Sequence, residues 1–184
     1  MGTVSGTASA GNTHGRLLLT GGDDSVTADT VVLGDSPSPG NEGDTIVSTI
    51  QFGAGTNSFD VDTLTVGGQK SQASVTVDSG GTLNLTGRNN ANDVVNANLG
   101  FHVTSGTGTN SRGEIDATGA TLNATFGALQ LGRHVSGGGD GIGVLTFDAG
   151  TVTADTVALG VGGNAGRGII NQNGGDFAVA NGVT

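Results

Sequence analysis

The sequence predicts an all-β fold, a right-handed parallel β-helix of about six irregular coils with three short strands in each. Three observations carry that prediction: an internal repeat of about thirty residues, apolar and polar residues alternating at period two inside each repeat, and glycine-rich corners between the alternating runs.

The repeat is clearest in Ser25-Val-Thr-Ala-Asp-Thr-Val-Val-Leu-Gly34 set against Thr151-Val-Thr-Ala-Asp-Thr-Val-Ala-Leu-Gly160. A third copy is Ser58-Phe-Asp-Val-Asp-Thr-Leu-Thr-Val-Gly67, and weaker copies open at Thr82, Thr121 and Asp176. The first apolar residue of each copy gives an expected core file of Val26, Phe59, Leu83, Leu122, Val152 and Phe177, spaced 24 to 39 residues apart.

Alternation places Leu145 and Phe147, then Val152 and Ala154, then Val157 and Leu159 on one side of three successive strands. Glycine supplies the positive φ that sharp corners need, as in 148–150, 78–81, 118–119 and 173–175. The second corner is tight: Asp29-Thr30, Asp62-Thr63 and Asp155-Thr156. The third connection is long and follows a glycine at 34, 67, 100, 132 and 160. One coil cannot bury its own inward face, whereas coils stacked at ~4.8 Å pair their backbones and make a continuous interior. Right-handed winding follows from the crossover rule for parallel strands. Nothing repeats at 3.6 residues, and abundant glycine opposes helix.

Composition agrees. Among 184 residues are 37 Gly and 6 Phe but no Trp, Tyr or Cys, which suits a narrow core of Val, Leu, Ile and Ala. The hydrophobic fraction of 34% is patterned, which separates the chain from disordered glycine-rich sequence. A net charge of −10 opposes binding to nucleic acid or anionic lipid. No apolar run approaches the ~20 residues of a membrane span.

Residues 1–15 are expected to be a partial leading coil or linker, and 16–184 the solenoid repeats. Neither end shows a capping helix, and the opening residues lack the basic and apolar regions of a signal peptide. The favoured expectation is a segment of a longer chain whose neighbours are further coils. The sharper alternative is an uncapped subunit that stacks end to end into a filament.

Units of the type Gly150-Thr-Val-Thr-Ala-Asp-Thr-Val-Ala-Leu-Gly160 resemble the β-strand repeats of autotransporter passenger domains and related large bacterial surface proteins. The resemblance runs from about Arg16 to Phe177. It implies export, a stalk-like solenoid outside the cell or on its surface, and a role in adhesion or surface coating. The chain departs from that family in showing neither a translocator barrel nor a leader, which marks it as an internal piece of such a passenger.

Several residues were weighed as sites. Leu99-Gly-Phe-His102 and Leu131-Gly-Arg-His134 should lie about one rung apart, so their imidazoles are candidates for a shared transition metal. Zinc needs about four ligands and no third accompanies them, so two stacked surface histidines are the favoured reading. Asp29, Asp62 and Asp155 are expected to cap their own turns, with calcium between carboxylates as the alternative; otherwise no cofactor is expected. The run 137–143 lacks the residue order of calcium-binding nonapeptide repeats.

Lys70, Arg112, Arg133 and Arg167 are expected in the long third connections, as loop contacts to an anionic glycan or a neighbouring subunit. The outward face of the second strand (Ser25/Thr27, Ser58/Asp60, Thr82/Asn84, Thr121/Asn123, Thr151/Thr153) resembles the ladders of ice-binding solenoids, although exposed strands favour Thr anyway. Asn84-Leu-Thr86 and Asn123-Ala-Thr125 fit the glycosylation sequon inside predicted strands. The segment 87–93 departs from the repeat as a protruding loop. No Ser–His–Asp or paired-carboxylate arrangement is legible.

The expected function is therefore a structural extracellular β-solenoid, not an enzyme, that forms a stalk or filament and presents loops for adhesion or self-association. A polysaccharide-binding or polysaccharide-active β-helix and an ice-binding solenoid are the alternatives.

Overall fold

The computed structural model describes residues 15–36, 48–89, 92–103, 110–163 and 165–184. Apart from Gly15, the leading segment 1–15 lies outside the described residues. Among those described there is no helix, and twelve strands form one sheet in which every pairing is parallel.

The strands are β1 (Arg16–Leu19), β2 (Ser25–Ser36), β3 (Ser48–Phe52), β4 (Thr56–Gln69), β5 (Gln72–Val77), β6 (Thr82–Thr86), β7 (Val95–His102), β8 (Ser111–His134), β9 (Gly141–Ala149), β10 (Thr151–Leu159), β11 (Gly166–Gln172) and β12 (Asp176–Val179). They fall into three rows. The first row stacks β1, β3, β5, the start of β8, β9 and β11. The second stacks the front of β2, the front of β4, β6, the middle of β8, the front of β10 and β12. The third stacks the rear of β2, the rear of β4, β7, the end of β8 and the rear of β10, which bridges to Val183.

The chain passes from first row to second to third and then returns to the first. Three separate strands per unit were expected, but β2, β4, β8 and β10 run unbroken through the tight second corner. The Asp-Thr corners stay extended, and the pairing skips the corner residue (Asp29 with Asp62, Asp155 with Gly127) and resumes at the next.

Alternation sends one side of each row inward. Val75, Ile115 and Leu145 stack in the first row, and Leu64, Ala97, Leu129 and Val157 in the third; all are buried. Four of the six phenylalanines, Phe52, Phe59, Phe126 and Phe147, are fully buried where the aliphatic files leave room. Phe52 and Phe59 meet across rows with ring centroids 5.6 Å apart.

The second-row file differs from its expected membership by two residues. Phe59 pairs with Leu85, and Val152 with Ala124, so the file runs Val26, Phe59, Leu85, Ala124, Val152, Phe177. Leu83 and Leu122 stack on one another one inward position earlier, beside Asn57. The cause is strand length. Units two to four begin their second strand with an additional inward residue that the shorter motifs at 25–34 and 151–160 lack.

One corner closes through glycine. Gly34, Gly67, Gly100 and Gly132 stand two residues before the ends of β2, β4, β7 and β8, and Gly160 directly follows β10, all with φ between 66° and 69°. A Cβ on Gly67, Gly100 or Gly132 would overlap the backbone carbonyls of Arg112, Ile142 and Arg167 respectively, all in the first row. The facing positions are glycine too: a Cβ on Gly113 would strike Val66 O, and one on Gly143 would strike Leu99 O. The ends of the third row therefore touch the starts of the first row along a seam that has no space for side chains.

Candidate functional site

The two histidines stand just past that seam. β7 ends at His102 and β8 at His134, and the two are register partners. Their rings stack with centroids 5.4 Å apart and planes 4° from parallel. His102 is not a surface residue as expected: it is fully buried, with Nδ1 2.7 Å from the Gln69 carbonyl and 2.9 Å from Ser111 Oγ.

A carbonyl only accepts, so the His102 proton is assigned to Nδ1 and the Nε2 lone pair is left buried without a partner. His134 mirrors this. Nε2 lies 3.3 Å from Gly137 O, while Nδ1 is buried and unpartnered. Burial holds the His102 pKa below its ordinary value of 6.5; the Gln69 carbonyl opposes that shift, and His134 and Lys70 add to it by charge repulsion.

Two lone pairs held in parallel ring planes do not converge on one ion, and a structural zinc wants four ligands at about 2.0–2.3 Å. Among the described residues no three His, Asp or Glu side chains are grouped as a metal would require. The geometry of the pair is that of two stacked rings, with burial opposing a proton on His102.

The corner aspartates go to a different task from the one expected. Asp62 Oδ1 accepts from the backbone N–H groups of Arg88 (2.8 Å) and Asn89 (3.0 Å). Asp29 Oδ1 accepts from Arg88 Nη1 (2.6 Å) and Asn89 Nδ2 (2.9 Å). Two stacked corners thus fasten the start of the 87–93 insertion against the sheet, by groups that replace the cation of the calcium reading. Residues 90 and 91 of that insertion lie outside the described residues. Asp155 sits exposed across from Gly127, and through its backbone carbonyl it accepts from Asn181 N at 2.8 Å.

Nor do the basic residues form a set of free loop contacts. Lys70 is 1% exposed, because the turn closed by Ser71 N and Oγ on Gly68 O, with Gln69 at φ 57°, swings it inward. Arg112 and Arg167 lie on strands β8 and β11, paired with Glu114 at 2.8 Å and Asp140 at 3.1 Å. Arg133 covers the Phe101 ring at 5.0 Å.

The outer faces of the rows differ in kind. Outward side chains of the first two rows bond one another across rungs: Thr49 to Ser74, Gln51 to Asp78, Thr86 to Asp60, Asn123 to Asn84 and Asn171 to Thr146. Both sequon asparagines are thus engaged with each other. The ladder expected at Thr82/Asn84 and Thr121/Asn123 is displaced by the same two residues as the core file, and Asn84/Thr86 and Asn123/Thr125 are its true rungs.

Sequence reasoning missed Asn57 and gave Lys70 an exposed role where it is buried. Asn57 is fully buried and bridges the first corner: Nδ2 donates to the carbonyls of Gly53, Gly55 and Thr82, and Oδ1 accepts from Asp24 N. An asparagine in an inward position of the alternation was the available signal.

The chain was compared with known protein families, curated proteins and solved structures, and none matches it. The residues themselves carry the functional argument.

Proposed function

We propose that the three rows wind into one right-handed β-solenoid, and that the chain is a structural extracellular scaffold of the bacterial surface. In this reading it forms part of a stalk or filament and presents loops for adhesion or self-association. The glycine seam carries the proposal, because backbone contact between the third and first rows is what a closed coil requires of its last corner. The repeats at 25–34 and 151–160 support the autotransporter-like setting.

Exposed apolar residues support stacking of further units, from the same chain or a second copy. Leu17, the partner of buried Ile50 in the first described unit, and Val183, which bridges to buried Val157 in the last, are exposed members of inward files. Strand edges that carry apolar side chains favour more pairing.

The second reading, a polysaccharide-binding β-helix, draws on the uncharged outer face of the third row. Catalysis is not part of the proposal. An ice-binding role draws less support, because Asp60, Asn84 and Asn123 interrupt the ladder and bond their neighbours.

Antibody labelling of intact, unpermeabilised cells that make the protein tests the location, and electron microscopy of the purified chain tests the shape. Surface labelling together with rods or end-to-end filaments is expected. Recovery only from the cytoplasm, as compact particles that never lengthen, overturns the reading.

A further inference from the structure

The outer face of the third row is unlike the rest of this acidic chain. Its outward positions, rung by rung, are Thr30 and Val32, Thr63 and Thr65, Asn96 and Asn98, Ala128 and Gln130, and Thr156 and Ala158. None is ionisable, in a protein of net charge −10. Outward positions of the other rows carry Arg16, Glu114 and Asp116, or Asp60 and Asp176.

Three of its polar side chains are also unengaged. Among the described residues Thr63, Thr65 and Asn98 make no side-chain hydrogen bond, whereas Gln130 Oε1 is buried without a partner. Asn96 and Thr156 are engaged: Asn96 Oδ1 accepts from Ala128 N at 3.2 Å, and Thr156 Oγ1 donates to Gly127 O at 3.4 Å. At its far end the strip borders a cavity of about 420 Å³ lined by Ala128, Gln130, Thr156, Ala158 and the chain from Asn181.

We propose that this strip docks an uncharged, hydroxyl-rich linear polymer, a neutral polysaccharide. Charge selects the class. Asp62 and Asp155 border the strip along the second corner and repel an anionic polymer, Asp29 being paired with Arg88, while the strip's own ten side chains carry no charge. Hydroxyls and carboxamides both donate and accept, which matches sugar hydroxyls.

Size favours a narrow occupant over a second copy. Five rungs at ~4.8 Å and two outward positions ~7 Å apart give a strip of about 200 Å². A stable protein interface needs about 800 Å² from each partner. Hydroxyls and carboxamides on the middle rungs, flanked by the apolar Val32, Ala128 and Ala158, suit a polymer that offers both hydroxyls and apolar faces along its axis. The inference rests on the stacked rows of the scaffold and not on where the cell places it.

Co-sedimentation of the full chain with insoluble cellulose, β-1,3-glucan and starch, at low and high salt, tests the proposal. Depletion by at least one of these is expected, with little dependence on salt. Asn98→Asp, which sets a charge mid-strip, should weaken that binding by about tenfold or more, the equivalent of 1.4 kcal/mol. Thr125→Asp on the outer face of the second row should leave it unchanged. Thr65→Glu serves as a second mid-strip variant, and circular dichroism confirms that each variant folds.

Depletion by none of the three polymers overturns the proposal. So does equal loss in the Thr125→Asp control, or a dimer of the parent chain that Asn98→Asp dissociates in the absence of polymer. Each of these failures leaves the surface-labelling result untouched.

Discussion

His102 and His134 stack ring on ring across adjacent rungs, and each keeps one buried nitrogen without a partner. Burial, the nearby His134 and the buried Lys70 all disfavour a cation at His102. The unfolded chain takes up a proton near pH 6.5, whereas the folded chain resists it to lower pH.

Stability should therefore be flat above about pH 6.5 and fall as pH drops through the interval down to the depressed folded pKa. Urea melts across that range will show the slope, and His102→Gln should flatten it. A second decline belongs to Asp148, whose carboxylate is held below its usual 3.8 by the Asn173 amide first and the Gly119 N–H second. That decline begins only as pH falls through about 3.8 and survives His102→Gln. A slope of equal size in the variant would exclude His102 as its source.

The glycine seam makes a quantitative contrast between two residues of the same φ. Gly34 and Gly100 have φ of 67° and 68°. Alanine at Gly34 would meet Ala73 Cβ and Ser71 Oγ at 3.0 Å and Ser71 Cβ at 3.5 Å, contacts that shifts of a few tenths of an ångström relieve. Alanine at Gly100 would overlap the Ile142 backbone. Gly34→Ala should cost about 1–2 kcal/mol for the left-handed conformation, and Gly100→Ala more than about 4 kcal/mol, since a ladder must also move. Denaturant midpoints check this, and equal losses would show that the seam is not packed as described.

What a single sequence reveals of such a fold follows from the distance over which each feature is specified. Inward and outward positions are local, set by alternation within five or six residues, and Val152, Ala154 and Val157 are buried as the motif implied. The five seam glycines were visible because their spacing recurs. Register between units is not local. It depends on how many residues each strand has before its corner, so Leu83 and Leu122 were aligned two residues out of place. Lys70 was unreadable for a related reason: a left-handed Gln69 reverses which way the next side chain faces, and only the folded turn shows it.

The same limit hid the purpose of the 87–93 insertion, since its partners Asp29 and Asp62 come from two earlier units. The two carboxylates do unequal work. Asp62 satisfies the backbone N–H groups of Arg88 and Asn89, while Asp29 holds only side chains. The Arg88–Asp29 ion pair is exposed on both sides, 40% and 71%, and exposed pairs contribute at most about 1 kcal/mol. Asp62→Ala frees two backbone donors and lets the insertion lift, so trypsin should cleave after Arg88 several-fold faster. Asp29→Ala should raise the rate less, with a difference that shrinks at high salt as the ion pair is screened. Asp155→Ala removes an exposed carboxylate far from the insertion, so its cleavage rate should match that of the parent chain. If all three variants are cut alike, the corners do not fasten the loop, and an acidic column open to cations becomes the better account of Asp29 and Asp62.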